Sequence, residues 1–236
     1  MGFYDRNTIN DAAAVGTFSS RVYGWMAMGL GFTAAVAYFI YATGAYITLM
    51  PFWWVFAFGT FGMGMAMSFS IQRISIPAVM TLFLGYAGLE GILFGTILPA
   101  FAAAHGGQAI WSAFATGSAI FLFAMAYGMF TKSDLTSLGR ILSFGLIGLI
   151  GISLLFMILS FFLPMQWADL FISYLGLVIF VGLTAYDAQT IRSMSMQVDI
   201  NSVASYKLSM IMALRMYVNV IMIFWYLLRI FSSNRK

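Results

Sequence analysis

Seven apolar stretches, each about twenty residues or longer, alternate along this chain with short polar breaks. A helix rises about 1.5 Å per residue, so roughly 20 apolar residues cross the ~30 Å of a bilayer's hydrocarbon. The pattern predicts an all-α integral membrane protein with transmembrane helices over about 22–49, 52–71, 76–101, 109–130, 141–163, 168–191 and 208–231. Each break has its own chemistry. Met50-Pro51 reads as a tight turn, and Gln72-Arg73 as a polar one ending at Pro77. His105-Gly106-Gly107-Gln108 reads as a Gly-rich loop, and Thr131 to Arg140 as a polar one in which Ser133 or Asp134 could cap the next helix. Pro164 to Asp169 forms another turn, and the longest break runs from Arg192 to Lys207. Residues 1–20 are polar and read as a flexible or interfacial cytoplasmic segment, leaving 21–236 as one seven-helix membrane domain.

Composition agrees with this reading. The chain is 62% hydrophobic and 8% charged, with a mean hydropathy of +0.95. A soluble domain carries about a quarter charged residues. Seven acids and eleven bases cannot coat a globule of 236 residues, so the surface must face lipid. The net charge of +4 is no nucleic-acid footprint, because the bases sit singly at the ends of apolar runs. Their distribution orients the chain instead. Arg6, Arg21, Arg73, Lys132, Arg140, Arg192 and Lys207 fall in the N-terminal segment and the second, fourth and sixth loops. The other three loops hold no Lys or Arg, which places the N-terminus in the cytoplasm. Seven full spans leave Arg235 and Lys236 on the far side, so either the last segment is re-entrant or the earlier bases outweigh the tail, and its length favours a full span. Without cysteine there is no disulfide and no thiolate metal site.

Small residues mark close helix contacts. Gly85, Gly88, Gly91 and Gly95 lie on one face of the third span, and Gly91 to Gly95 is a GxxxG spacing. Gly145, Gly148 and Gly151 repeat the pattern in the fifth. The eighteen methionines read as fillers of irregular gaps between helices.

Charged groups inside hydrocarbon are expensive, which makes them functional candidates. Glu90 lies near the middle of the third span, and is either a hydrogen-bonded acid or an ion-pathway group. Asp187 precedes Arg192 by five residues, about 7 Å from the end of its helix. Arg215 and Asn219 share a face of the last span, a face that lipid would tolerate poorly, so this helix is expected inside the bundle. Topology puts Arg73, Asp187, Arg215 and Asn219 in one layer of the cytoplasmic half, where Asp187 either holds helices in register or serves an ion path. Catalysis fits badly. The single histidine, His105, lies in a loop, no second acid accompanies Tyr186-Asp187, no lysine sits in mid-span, and no phosphate-cradling Gly-Lys-Ser/Thr loop exists. The chain is not expected to be an enzyme or to need a cofactor.

Four segments resemble the Bax inhibitor family, also called transmembrane Bax inhibitor motif or Lifeguard proteins. The most specific is Tyr174 to Ile191, YLGLVIFVGLTAYDAQTI. Arg21 to Leu30, Tyr127 to Leu135 and Leu227 to Phe231 are similar too, so the likeness covers the chain from about residue 20. The resemblance implies a seven-helix fold whose last helix is central, wrapped by two groups of three. It implies a bacterial inner-membrane protein and a pH-sensitive calcium leak, gated by two aspartates near the cytoplasmic side and an arginine tied to them. Arg73 falls on the arginine position and Asp187 on the first acid, while Asn219 occupies the second. Two acids at close range can share a proton, whereas Asp with Asn cannot.

Two functional readings result. In the first, the protein is a cation leak with calcium as permeant ion and altered or absent di-acid pH sensing. Asp187 and Asn219 form its gate, Arg73 and Arg215 supply counter-charge, and Glu90 is a secondary path group. In the second, it conducts nothing and regulates a membrane protease or another stress-response partner. The expected surroundings are a lipid bilayer, without nucleic acid.

Overall fold

The computed structural model describes residues 6–70, 73–159, 166–199 and 202–233. Expectations resting on residues 1–5, Gln72, Pro164, Arg235 and Lys236 lie outside them. Among the described residues the regular structure is entirely helical: α1 (Arg6–Ala42), α2 (Tyr46–Leu49), a 3-10 turn (Met50–Phe52), α3 (Trp53–Ser70), α4 (Ile76–His105), α5 (Gly107–Phe130), α6 (Thr136–Leu159), α7 (Gln166–Ser195) and α8 (Val203–Ser233). Helices dominate because lipid offers no partner to a backbone N–H or C=O, so each span must bond its own. Among the described residues seven segments are long and apolar enough to cross a membrane: Thr17–Ala42, Tyr46–Met67, Ile76–His105, Gly107–Phe130, Thr136–Phe156, Trp167–Ser195 and Val203–Ser233.

The boundaries differ from the sequence expectation where local backbone chemistry decides them. The polar leader is helical from Arg6 and continuous with the first span. That span ends at Ala42, at a turn through Gly44 with φ 72°, and not at Met50-Pro51. Glycine enters the left-handed region without steric cost, so it stops a helix. Pro51 instead lies in the first turn of a 3-10 segment inside the second span, where a missing N–H costs little. Likewise the anticipated loop at His105 shrinks to one residue, Gly106, with φ 82°. The fifth span opens at Thr136, which draws Arg140 into a helix.

The chain forms two compact units. One comprises Met1–Ala104 with Ile191–Tyr217, the other His105–Thr190 with Val218–Lys236. Each therefore holds three spans and one half of α8. Of the seven spans, α8 is the most buried, with 56% of its most apolar window inside, followed by α7 at 50%.

Glycines set the close approaches. In the first unit a Cβ on Gly91 would fall 2.6 Å from Val36 Cβ and 2.8 Å from Thr33 O, and one on Gly95 would fall 2.8 Å from Ala37 O. These place α4 directly against α1. Gly85 faces Met63 of α3 at 3.3 Å, and Gly88 faces Phe32 at 3.4 Å. In the second unit α7 is the element approached from every side: Gly128 of α5 abuts the Ala185 carbonyl, Gly139 of α6 abuts Tyr186, and Gly176 abuts Tyr226 of α8. The Gly145, Gly148 and Gly151 stripe does not pack as a unit. Gly145 reaches Ile179 at 3.5 Å, but Gly148 and Gly151 meet nothing within 4 Å, because α6 turns its Gly139–Leu142–Gly145 face to α7.

Candidate functional site

In the second unit, α7 carries Asp187 and α8 carries Asn219 into the interior, at 1% and 4% exposure. Asn219 donates from Nδ2 to Asp187 Oδ2 at 2.9 Å. An intramolecular hydrogen bond contributes about 0.5–1.5 kcal/mol net, and leaving a buried polar partner without one costs about 1–3 kcal/mol. The pair therefore holds α7 and α8 in one register. Small neighbours make room for it: Ala185 and Ala188 flank the acid and are buried, and Gly128 allows α5 to approach Ala185.

Beyond Asp187 on the same helix, Gln189 fixes the loop before α6. Its Oε1 accepts from Leu135 N at 2.8 Å, and its Nε2 donates to Ser133 O at 2.7 Å. Asp134 in the same loop accepts from Thr136 N at 2.9 Å, and its bonds to the Thr136 side chain and backbone hold its carboxyl below the usual range. At the opposite end of α7, Asp169 pairs with Arg229 of α8. A charged or polar tie thus secures α7 at both ends.

Glu90 lies in the first unit, 7% exposed, on α4. Tyr86, one turn earlier on that helix, donates its O–H to Glu90 Oε1 at 3.2 Å. The Tyr86 ring meets Tyr217 of α8 edge-on, with centroids 5.6 Å apart. Tyr217 O and Thr33 Oγ1 are 2.6 Å apart, and Thr33 also donates to Ala87 O at 2.9 Å. Thr33 has one hydroxyl proton, already given to Ala87, so Tyr217 is the donor in the shorter bond. Hydroxyls from α1, α4 and α8 thus surround Glu90's stretch of α4. Arg73 stands exposed in the turn before α4, and Arg215 is half-buried on α8, both in this first unit.

Chemically, the two sites differ from a carboxylate pair. Asp187 faces an amide, which donates and accepts but does not titrate. Among the described residues no three of His, Asp or Glu come together as a metal-holding group. The sequence reading missed the Gln189 clamp, the Asp169–Arg229 pair and the Tyr86–Thr33–Tyr217 hydroxyls. None carries a charge in mid-span, the feature that marks Glu90 and Asp187 in the sequence. The adjacency of Gln189 to Asp187 in the family-like run was the available pointer.

Comparison with known proteins adds a separate line. The family described as inhibitor of apoptosis-promoting Bax1 matches residues 15–236. An uncharacterized protein of Chlamydia muridarum is 55% identical over 100% of this chain and 99% of its own length. Inner membrane protein YbhL of Escherichia coli K12 is 33% identical over 96% of each chain. An uncharacterized protein of Deinococcus radiodurans is 33% identical over 93% of this chain and 92% of its own.

Proposed function

Because the chain belongs to the Bax inhibitor family of membrane proteins, we propose that it is a low-flux cation leak, with calcium as the permeant ion. The observation that carries the reading is the buried hydrogen bond from Asn219 to Asp187, at the place where the family resemblance puts an acid pair. Asp187 and Asn219 form the gate in this reading, Arg73 and Arg215 supply counter-charge, and Glu90 is a secondary path group. The protein sits in a bacterial inner membrane with its N-terminus in the cytoplasm, the side that the basic loops favour. YbhL, named as an inner membrane protein, supports the location. The amide at 219 also favours a second reading, a non-conducting regulator that binds a membrane protease or another stress-response protein.

Purified protein in liposomes loaded with a calcium dye separates the two. A leak is expected, varying little between about pH 6 and 8, since Asn219 cannot share a proton with Asp187. Asn219→Asp introduces a steep pH response, whereas Asp187→Asn leaves the pH profile flat. Liposomes that stay tight at every pH favour the regulator. A steep response in the unmodified protein that Glu90→Gln abolishes moves the sensor to the first unit and overturns the gate assignment.

A further inference from the structure

One face of α6 runs from polar to apolar as it enters the membrane. Thr136, Gly139, Arg140, Ser143, Phe144 and Ile147 step by three and four residues, which puts them on a single stripe. With Tyr186 of α7 they line an open groove of about 370 Å³. Gly139 is what admits the tyrosine: its Cα abuts the Tyr186 ring where any larger residue would collide. The groove's length is set by its ends. Thr136 and Ile147 are eleven residues apart, about 17 Å along the helix axis.

Its chemistry is graded along that length. The upper end holds the Thr136 hydroxyl and the Arg140 guanidinium, with the Ser143 hydroxyl below them, donating to Gly139 O at 2.7 Å. The lower end holds Phe144 and Ile147, 68% and 67% exposed. No acid lines the groove. Arg140 makes no hydrogen bond or ion pair with any described residue. The closest acid in sequence, Asp134, is directed to the Thr136 N–H. A second groove of about 530 Å³ on the other flank of α6, lined by Phe123, Tyr127, Leu138 and Val181 among others, contains no charge at all.

We propose that the Arg140 groove is a binding site for an acidic phospholipid, with the headgroup phosphate on Arg140 and Thr136 and an acyl chain on Phe144, Ile147 and Tyr186. Charge complementarity selects this occupant. The cation stands at the start of a span, at headgroup level, and the groove continues inward from it for about two turns, to Phe144 and Ile147. A guanidinium matches a phosphate's oxygens in a bidentate fork. A soluble anion would make no use of the lower half, and a neutral lipid would leave Arg140 unneutralised. The uncharged groove across α6 is the internal contrast, suited to any acyl chain.

The test reconstitutes the full chain in phosphatidylcholine vesicles containing a graded share of phosphatidylglycerol. Retained lipid is then counted by native mass spectrometry after gentle extraction. Unmodified protein is expected to retain phosphatidylglycerol in preference to phosphatidylcholine. Arg140→Gln should reduce that preference about fivefold, the factor expected from one basic residue at an anionic surface. Ile147→Trp keeps the cation and fills the lower groove, and should reduce retention of phosphatidylglycerol as well. Lys132→Gln, in the neighbouring loop and outside the groove, should change nothing. The proposal is overturned if Arg140→Gln keeps the full preference, if Lys132→Gln lowers it equally, or if free glycerol phosphate in the buffer displaces the retained lipid.

Discussion

Glu90 in the first unit takes its hydrogen bond from Tyr86, four residues earlier on α4, whereas Asp187 in the second takes one from Asn219 on another helix. A partner on the same helix travels with the acid, so the Glu90 bond survives any movement of α4 as a body. The Asp187 bond exists only while α7 and α8 keep their separation. In the first unit the helix-to-helix polar tie falls to neutral hydroxyls, with Thr33 joining α1 to α4 and α8. In the second it falls to a buried acid and amide. Burying an acid is therefore not one design: only Asp187 is placed to report on the arrangement of helices.

The sharpest way to break this comparison is steric. Gly128→Leu forces a side chain into the Ala185 carbonyl beside Asp187, where backbone cannot yield, and should abolish recovery of monodisperse protein. Gly91→Leu should do the same through Val36 and Thr33 in the first unit, while Gly148→Leu, facing open space, should leave the yield unchanged. Size-exclusion profiles of the three variants decide it.

Next in size are the polar ties. Asp187→Ala leaves the buried Asn219 amide without its acceptor, and should cost about 1–3 kcal/mol in reversible unfolding from detergent. Thr33→Val strands the Tyr217 hydroxyl and should cost about 1 kcal/mol. Glu90→Gln keeps an oxygen for Tyr86 and should cost less than about 1 kcal/mol. A Glu90→Gln loss exceeding that of Asp187→Ala would mean that the same-helix acid is the structural one, reversing the comparison.

The smallest effect concerns Asp134, outside the spans. The Thr136 side chain and N–H hold its folded-state pKa below the unfolded value. Its contribution to stability is therefore present above the unfolded value, about pH 4, and is lost as pH falls through the lowered one. Asp134→Ala should remove that contribution, seen as a slightly lower unfolding midpoint above about pH 4 and a flatter dependence below it.

Seven helices were legible because apolar length is a property of sequence alone. Their ends were less so. Pro51 reads as a breaker, yet a proline in a first helical turn breaks nothing, and Gly44 and Gly106 do the breaking. Arg140 reads as a loop residue because a charge counts against a span, although lipid surfaces accept cations at helix ends. Asp187 could be singled out by charge and by the family-like run around it, and Asn219 by sharing a helix face with Arg215. Glycine contacts were legible on α4 and misleading on α6, because spacing shows that a face is smooth and not whether a neighbour occupies it. The hydroxyls around Glu90 gave no signal, since Tyr and Thr are ordinary residues of an apolar helix.

The division of α8 between the units bears on how the protein is made. Each unit contains residues from before position 191 and residues from the final helix, so neither is complete when its three earlier spans have left the ribosome. Until α8 inserts, Asp187 has no Asn219, and Thr33 has no Tyr217. Both cores close as one and the same helix, α8 (Val203–Ser233), is added. A nascent chain stalled before Val203 leaves polar groups of each unit without their α8 partners, a conspicuous target for membrane quality control.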